Sequence, residues 1–357
     1  MRFRLTEDQR ALRSATRGLL DRVCPPKALR AMADGAEPPR LDRVVWAALA
    51  EAGVFALRLP EDAGGVGLGA PEAVLVFEEL GRALVPGPLV ATHLAAGRVA
   101  GAATGETVVT RVDGGLVAWL AEADVVEADV VEAGVVEGYG TGGGVTAGGG
   151  PGAGPGVRGG AVLPDAGASG AVPLRSGLPG AVPLRSADPL TPLHRVPAPA
   201  APGPAAPGPW DPSAALLTAA EQLGTAGRVT ELAVRYARER EQFGRPVGSF
   251  QAVKHLCADM LVRTELARAA VYAAAVSGDP AETAGAKLLA DDAAVANARD
   301  CVQIHGGMGF TWEADIHLHL KRAWLRARAR PLAAEAQETA ARALAVSAGA
   351  RAAHPSL

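Results

Sequence analysis

Apolar positions recur at helical spacing through the first hundred residues. Leu12, Leu19 and Leu20 share one segment, and Val45, Trp46, Leu49 and Val54 share another. Thr6, followed by Glu7, Asp8 and Gln9, has the form of an N-cap with acidic first-turn residues. The glycine-rich PEDAGGVGLG at Pro60 to Gly69 interrupts the helical run. Residues 1–101 are therefore expected to form a helical domain.

From residue 102 to 210 the helical period disappears. Short valine-rich stretches, Glu106 to Val112 and Gly115 to Leu120, have the length of strands. This segment also repeats itself. ADVVE occurs at Ala123 and Ala128, and GAVPLRS at Gly170 and Gly180. The run from Gly140 to Gly156 is too glycine-rich to bury much side-chain surface. A degenerate, Gly/Pro-rich β domain is expected here.

Long helical patterns return over residues 211–357. Leu216, Leu217, Ala220, Leu223, Gly224 and Gly227 recur on one face; Val253, Leu256, Met260, Leu261 and Thr264 do so in the next segment, and a third run spans Thr283 to Ile304. Short connections favour antiparallel neighbours, hence a helical bundle. The fold class expected is mainly α with a central β domain.

Composition narrows the functional classes. The chain has 357 residues, 49% hydrophobic and 20% charged, enough to bury a sizeable interior. A net charge of -3 gives no basic excess, so nucleic acid is not expected as a partner. The charged N-terminus lacks the pattern of a signal peptide, and no window reads as a membrane span, so a cytoplasmic protein is expected. Cys24, Cys257 and Cys301 are far apart and lack metal spacing, which reads as buried thiols in a reducing compartment.

Two segments carry candidate chemistry. Arg240, Gln242 and Phe243 place a cation, an amide and an aromatic face at one turn, suited to a pyrophosphate and an adenine-like ring, or equally to a solvated helix end. Gly306 and Gly307 end a helix where a ligand could approach the backbone, with Gln303 offering hydrogen bonds; a C-cap and tight turn is the plain alternative. His305, His317 and His319 lack a spacing that points to a metal, so no metal is expected. Glu313 and Asp315 read as helix-start residues, and Lys321, Arg322, Arg326, Arg328 and Arg330 as a solvated helix face, although a ligand's phosphate could bind such a surface.

RYAREREQFGRPVGSFQAVKHLCADM (Arg235 to Met260) and DCVQIHGGMGFTWEADIHLHLKRA (Asp300 to Ala323) resemble the signature segments of acyl-CoA dehydrogenases. WAALAEAGVFALRLPEDAGGVGLGAPEAVLVFEELGRAL resembles that family's helical entry region, and the three occur in the family's order. The resemblance implies three domains (helical, β, four-helix bundle), FAD as cofactor, acyl-CoA as substrate and electron-transfer flavoprotein as acceptor. It implies α,β-dehydrogenation of the thioester, in which a carboxylate removes the α proton as a hydride leaves the β carbon for the flavin. Arg240, Gln242, Phe243, Gln303, Gly306 and Gly307 match positions that touch the adenine dinucleotide part of a neighbouring subunit's FAD.

The sequence departs from the family at two points. The two positions where members place the basic glutamate fall on Ala214 and Arg330, neither of which can accept the proton. The TEPxAGSD-type segment and the Trp and Thr/Ser strand that meet the isoalloxazine are not found between Ala102 and Pro209. This pattern resembles the less complete subunit of heteromeric α2β2 members, with base and flavin-ring site supplied by a second subunit. Two alternatives remain: a non-redox acyl-CoA-binding or scaffold homologue, or a homotetramer with a displaced base at Asp211 or Glu221.

Overall fold

The computed structural model of the protein describes residues 4–35, 37–128, 170–173, 178, 180–196 and 210–353. The N-terminal part comprises α1 (Glu7–Val23), α2 (Pro26–Ala33), α3 (Arg43–Glu51), α4 (Ala70–Arg82) and α5 (Leu89–Ala95). Thr6 caps α1 through a reciprocal capping box with Gln9, as the local pattern indicates. Leu20, Trp46, Leu49 and Val54 are buried, with Leu12, Leu19 and Val45 packed against them.

The C-terminal part comprises α6 (Pro212–Glu239), α7 (Gln251–Ser277), α8 (Pro280–His305), α9 (Ile316–Arg326) and α10 (Ala333–Ala353). Leu216, Leu217, Ala220 and Leu223 of α6 enter the same core as α4, so a single interior joins both helical parts. The approach of α4 to α6 depends on two glycines. A Cβ on Gly81 would lie 2.0 Å from the Glu221 carbonyl oxygen, and one on Gly224 would lie 1.8 Å from the Glu78 carbonyl oxygen. Leu261 differs from its expected place: it is exposed on α7, while Met260 and Thr264 are buried. Cys24 and Cys301 are buried, whereas Cys257 is only partly so.

Between these parts lie β1 (Val109–Asp113), β2 (Leu116–Ala118), β3 (Val125–Ala128), β4 (Gly170–Pro173), β5 (Val182–Leu184) and β6 (Leu193–Arg195), in one sheet of order β4-β3-β1-β2-β6-β5. All neighbouring pairs are antiparallel except β1 with β3. The GAVPLRS repeat explains both edges: its first copy supplies β4 and its second β5. An edge strand tolerates the proline in each copy because one side of its backbone needs no ladder partner. The first ADVVE supplies most of β3 and the second its last residue, Ala128; the rest of the second copy, and the glycine run from Gly140 to Gly156, lie outside the described residues. A small hairpin, β7 (Glu241–Gln242) with β8 (Arg245–Pro246), follows α6. No helix among the described residues is long and apolar enough to cross a membrane.

Candidate functional site

A cavity of about 270 Å³ lies where α5, the central sheet, α6 and α9 meet. Asp211, Ala214, Thr218 and Glu221 line it from α6 at spacings of three, four and three residues, the interval of one helical face. Arg322, Leu325 and Arg326 do so from α9, and Arg328 and Arg330 from the chain beyond it. Ala214 and Arg330 thus share one cavity, 116 residues apart in sequence, together with Asp211 and Glu221.

The carboxylates in this cavity are engaged. Asp211 caps α6: its Oδ1 accepts from the backbone N–H groups of Ser213 (2.8 Å) and Ala214 (3.3 Å), and its Oδ2 pairs with Arg111 at 3.4 Å. Glu221 is buried and accepts from Arg326 Nη2 at 2.7 Å. Burial raises its pKa, against the opposing charges of Arg326 and Arg322. Arg330 makes a forked pair with Glu335 (2.8 and 3.3 Å), and its backbone N–H donates to Asp113 Oδ2 at 3.0 Å.

The basic run is therefore a solvated face only in part: Arg328 is exposed. Arg322 and Arg326 are buried; Arg322 pairs with Asp188 and donates to the carbonyls of Val85 and Leu190, both at 3.3 Å. Burial lowers the Arg326 pKa to about 10. Asp113 and Asp188 escaped the sequence reading. Asp113 precedes Gly114 and Gly115, a hairpin signal, and Asp188 accepts from Leu190 N–H and the Thr191 hydroxyl as a turn aspartate does. Each residue therefore has a plain local role. What ties them to the cavity is contact with lining arginines more than 130 residues away: Asp113 lines the cavity and accepts from Arg330, and Asp188 stands behind Arg322.

A second group of residues gathers at one end of the bundle. Arg240 is the C-cap of α6, and Phe243 and Gly244 form the tip of the β7–β8 hairpin with φ of 55° and 73°. Positive φ at both central residues matches a type I′ turn, but phenylalanine is a costly occupant of the first position. Its ring is 91% exposed, so core packing does not account for the strain. Gly306 ends α8 with φ 59° and opens a 3-10 turn, Gly306–Phe310. The His305 ring stacks on Tyr236 at 3.9 Å, which ties this turn to the end of α6.

The two sequence segments are thereby brought to the same end of the bundle. Arg240, Gln242, Gln303, Gly306 and Gly307 are all exposed, and the side chains of Arg240, Gln242 and Gln303 have no hydrogen-bond partner among the described residues. A Cβ built on Gly306 or Gly307 would meet nothing within 4 Å, so the backbone there is open to a ligand. Exposed donors, an open backbone and a presented aromatic ring fit a dinucleotide. The remaining histidines are occupied otherwise: His317 stacks on Trp312 at 4.5 Å, and His319 is buried with its pKa pushed down to about 3, chiefly by burial. Asp315 is the N-cap residue of α9 and pairs with Arg30 at 2.9 Å. No cluster of three or more ligating side chains suited to a metal occurs among the described residues.

Comparison with known proteins settles the family. Residues 6–107 match the model of the acyl-CoA dehydrogenase N-terminal domain and residues 213–349 that of the C-terminal domain. Acyl-CoA dehydrogenase IpdE2 of Mycobacterium tuberculosis is 35% identical over 89% of this chain and 91% of its own length. The chain belongs to the acyl-CoA dehydrogenase family. Acyl-CoA dehydrogenase FadE34 of the same organism is 36% identical over 89% of this chain, which spans only 45% of that longer protein. A chain of the ChsE4-ChsE5 complex from M. tuberculosis shares the fold, with a TM-score of 0.72 over 97% of this chain and 99% of that one, at 24% identity.

Proposed function

We propose that this chain is the incomplete subunit of a heteromeric, FAD-dependent acyl-CoA dehydrogenase. It lends the Arg240–Phe243 hairpin and the Gln303–Gly307 turn to the adenine dinucleotide of a flavin whose ring is held by a second subunit. FAD, when bound, supplies the hydride acceptor for α,β-dehydrogenation of an acyl-CoA thioester, and electron-transfer flavoprotein is the onward acceptor. In this chain Arg240 and Gln303 bind and orient the dinucleotide, and the partner provides the carboxylate that takes the α proton.

The observation that carries this reading is the cavity: both family base positions line it, as Ala214 and Arg330, and Arg330 is locked to Glu335. An arginine stays cationic at ordinary pH and cannot accept the proton. Asp211 and Glu221 are the nearest substitutes in sequence, and each is held by a helix N-terminus or an ion pair. A scaffold homologue would have no use for exposed, unpartnered Arg240 and Gln303 beside an open glycine turn.

The test is acyl-CoA-dependent reduction of an artificial electron acceptor. Asp211→Asn preserves the cap, since asparagine caps as well as aspartate, and should leave most of the activity of the assembled complex. Ala214→Glu or Arg330→Glu should create no activity in the isolated chain. A large loss of turnover in Asp211→Asn, with FAD content and assembly unchanged, would place the base in this chain.

A further inference from the structure

The Gly306–Phe310 turn is held from both sides. On its N-terminal side it continues α8, and Gly309 sits so close to that helix that a Cβ would lie 2.5 Å from the Val302 carbonyl oxygen. On its C-terminal side the chain passes through Thr311, whose hydroxyl donates to the Met308 carbonyl at 2.8 Å, to Trp312.

Trp312 is gripped by a helix from the opposite end of the sequence. From α2, Arg30 donates to the Trp312 carbonyl, to Asp315 Oδ1 at 2.9 Å and to Asp34 Oδ2 at 3.1 Å. The other oxygen of Asp34 accepts the indole N–H of Trp312. His317 stacks on the indole, and the Lys321 ammonium stands 4.4 Å from its ring centroid. Two nitrogens of one guanidinium thus join α2 to the segment leaving the turn, and the third holds Asp34, the α2 C-cap that receives the indole N–H.

This cluster is poorly explained as core stabilisation. Trp312 is 46% exposed, and Asp34 and Asp315 are about half exposed, so burial contributes little and water screens the ion pairs. What the contacts do fix is position. The His305 stack and Gly309 hold the turn on its α8 side, but Gly306 and Gly307 leave its outer face open, so the contacts of Trp312 are what fix the side on which the chain leaves it. A preformed turn binds a ligand more tightly than one that must be ordered at binding.

We infer that Arg30, Asp34 and Trp312 form a latch that positions the Gly306–Phe310 turn for an adenine dinucleotide. This rests on the reading of that turn as a flavin contact. The three are positioning residues: they act through the turn.

The test uses the complex of this full-length chain with the subunit that holds the flavin ring, with FAD as probe. Binding is followed by titration in excess FAD, and backbone order by amide hydrogen exchange over residues 303–311. Arg30→Ala and Trp312→Leu should speed exchange in that segment, leave α6 and α7 unchanged, and weaken FAD binding about tenfold, the equivalent of ~1.4 kcal/mol. Trp312→Phe, which keeps a ring for His317 and Lys321, should recover part of the affinity. Arg240→Ala serves as the control for the underlying reading.

If Arg240→Ala weakens FAD binding while Arg30→Ala and Trp312→Leu do not, the latch is overturned and the flavin reading stands. Faster exchange without loss of affinity also overturns it, because the contacts would then be structural only. If the wild type shows no saturable FAD binding, or Arg240→Ala has no effect on it, the flavin reading itself fails.

Discussion

Arg326 Nη2 donates to Glu221 Oε1 across 2.7 Å, and both side chains are buried between α6 and α9. Lys287 donates to the Arg326 carbonyl at 3.3 Å and pairs with Asp291, so charge compensation continues into α8. Removing one member of such a pair leaves a desolvated charge without its partner. Glu221→Gln should therefore destabilise the fold by about 3–5 kcal/mol, whereas replacing both residues by apolar ones of similar size should recover most of that. Chemical denaturation of the two variants measures this. A loss under about 1 kcal/mol in Glu221→Gln would mean that the arginine is solvated.

The glycine contact between α4 and α6 gives a second expectation. Alanine is the better helix former by about 1 kcal/mol, which alone would make Gly224→Ala stabilising. A Cβ lying 1.8 Å from the Glu78 carbonyl oxygen cannot be absorbed by a rotamer change, because both atoms belong to helix backbones. Overpacking of this kind costs up to about 3 kcal/mol or more, so the steric term wins. Thermal denaturation should show a marked fall in Tm; an unchanged or raised Tm would show that the helices are free to separate.

Much of this architecture was legible because it is locally encoded. The capping box at Thr6 and Gln9, the apolar face from Leu216 to Leu223 and the break at Gly306 each depend on residues within one or two turns. The same local logic misassigned Arg322 and Arg326 to solvent. Their partners, Asp188 and Glu221, stand 134 and 105 residues away, and no pattern within α9 announces them. Leu261 erred the opposite way: its spacing fits the buried face, but that face centres on Met260 and Thr264. At the candidate site, sequence placed Arg240 and Gly306 on turns correctly. The packing of α6 on α8, finished by the stacking of His305 on Tyr236, brings those turns to one end of the bundle.

His93 makes stability pH-dependent. It is buried, its Nδ1–H donates to the Val54 carbonyl at 2.8 Å, and its pKa falls from 6.5 to about 4, chiefly through burial and further through the charge of Arg58. The unfolded chain binds this proton more readily than the folded one. The stabilisation is thus complete above about 6.5 and is lost as pH falls towards about 4, to the extent of about 3 kcal/mol. Denaturation midpoints across this window should drop with acidification, and His93→Gln should show a shallower slope. An identical slope in the variant would place the ring in water.

The division of the flavin site between two subunits is tested most directly by counting flavin. The chain is expressed alone and with its partner, purified, denatured, and its released FAD measured by absorbance against protein. The account predicts substoichiometric FAD in the chain alone and about one FAD per pair in the complex, because the ring must be held by a second subunit. One tightly retained FAD per chain in the isolated protein would contradict it.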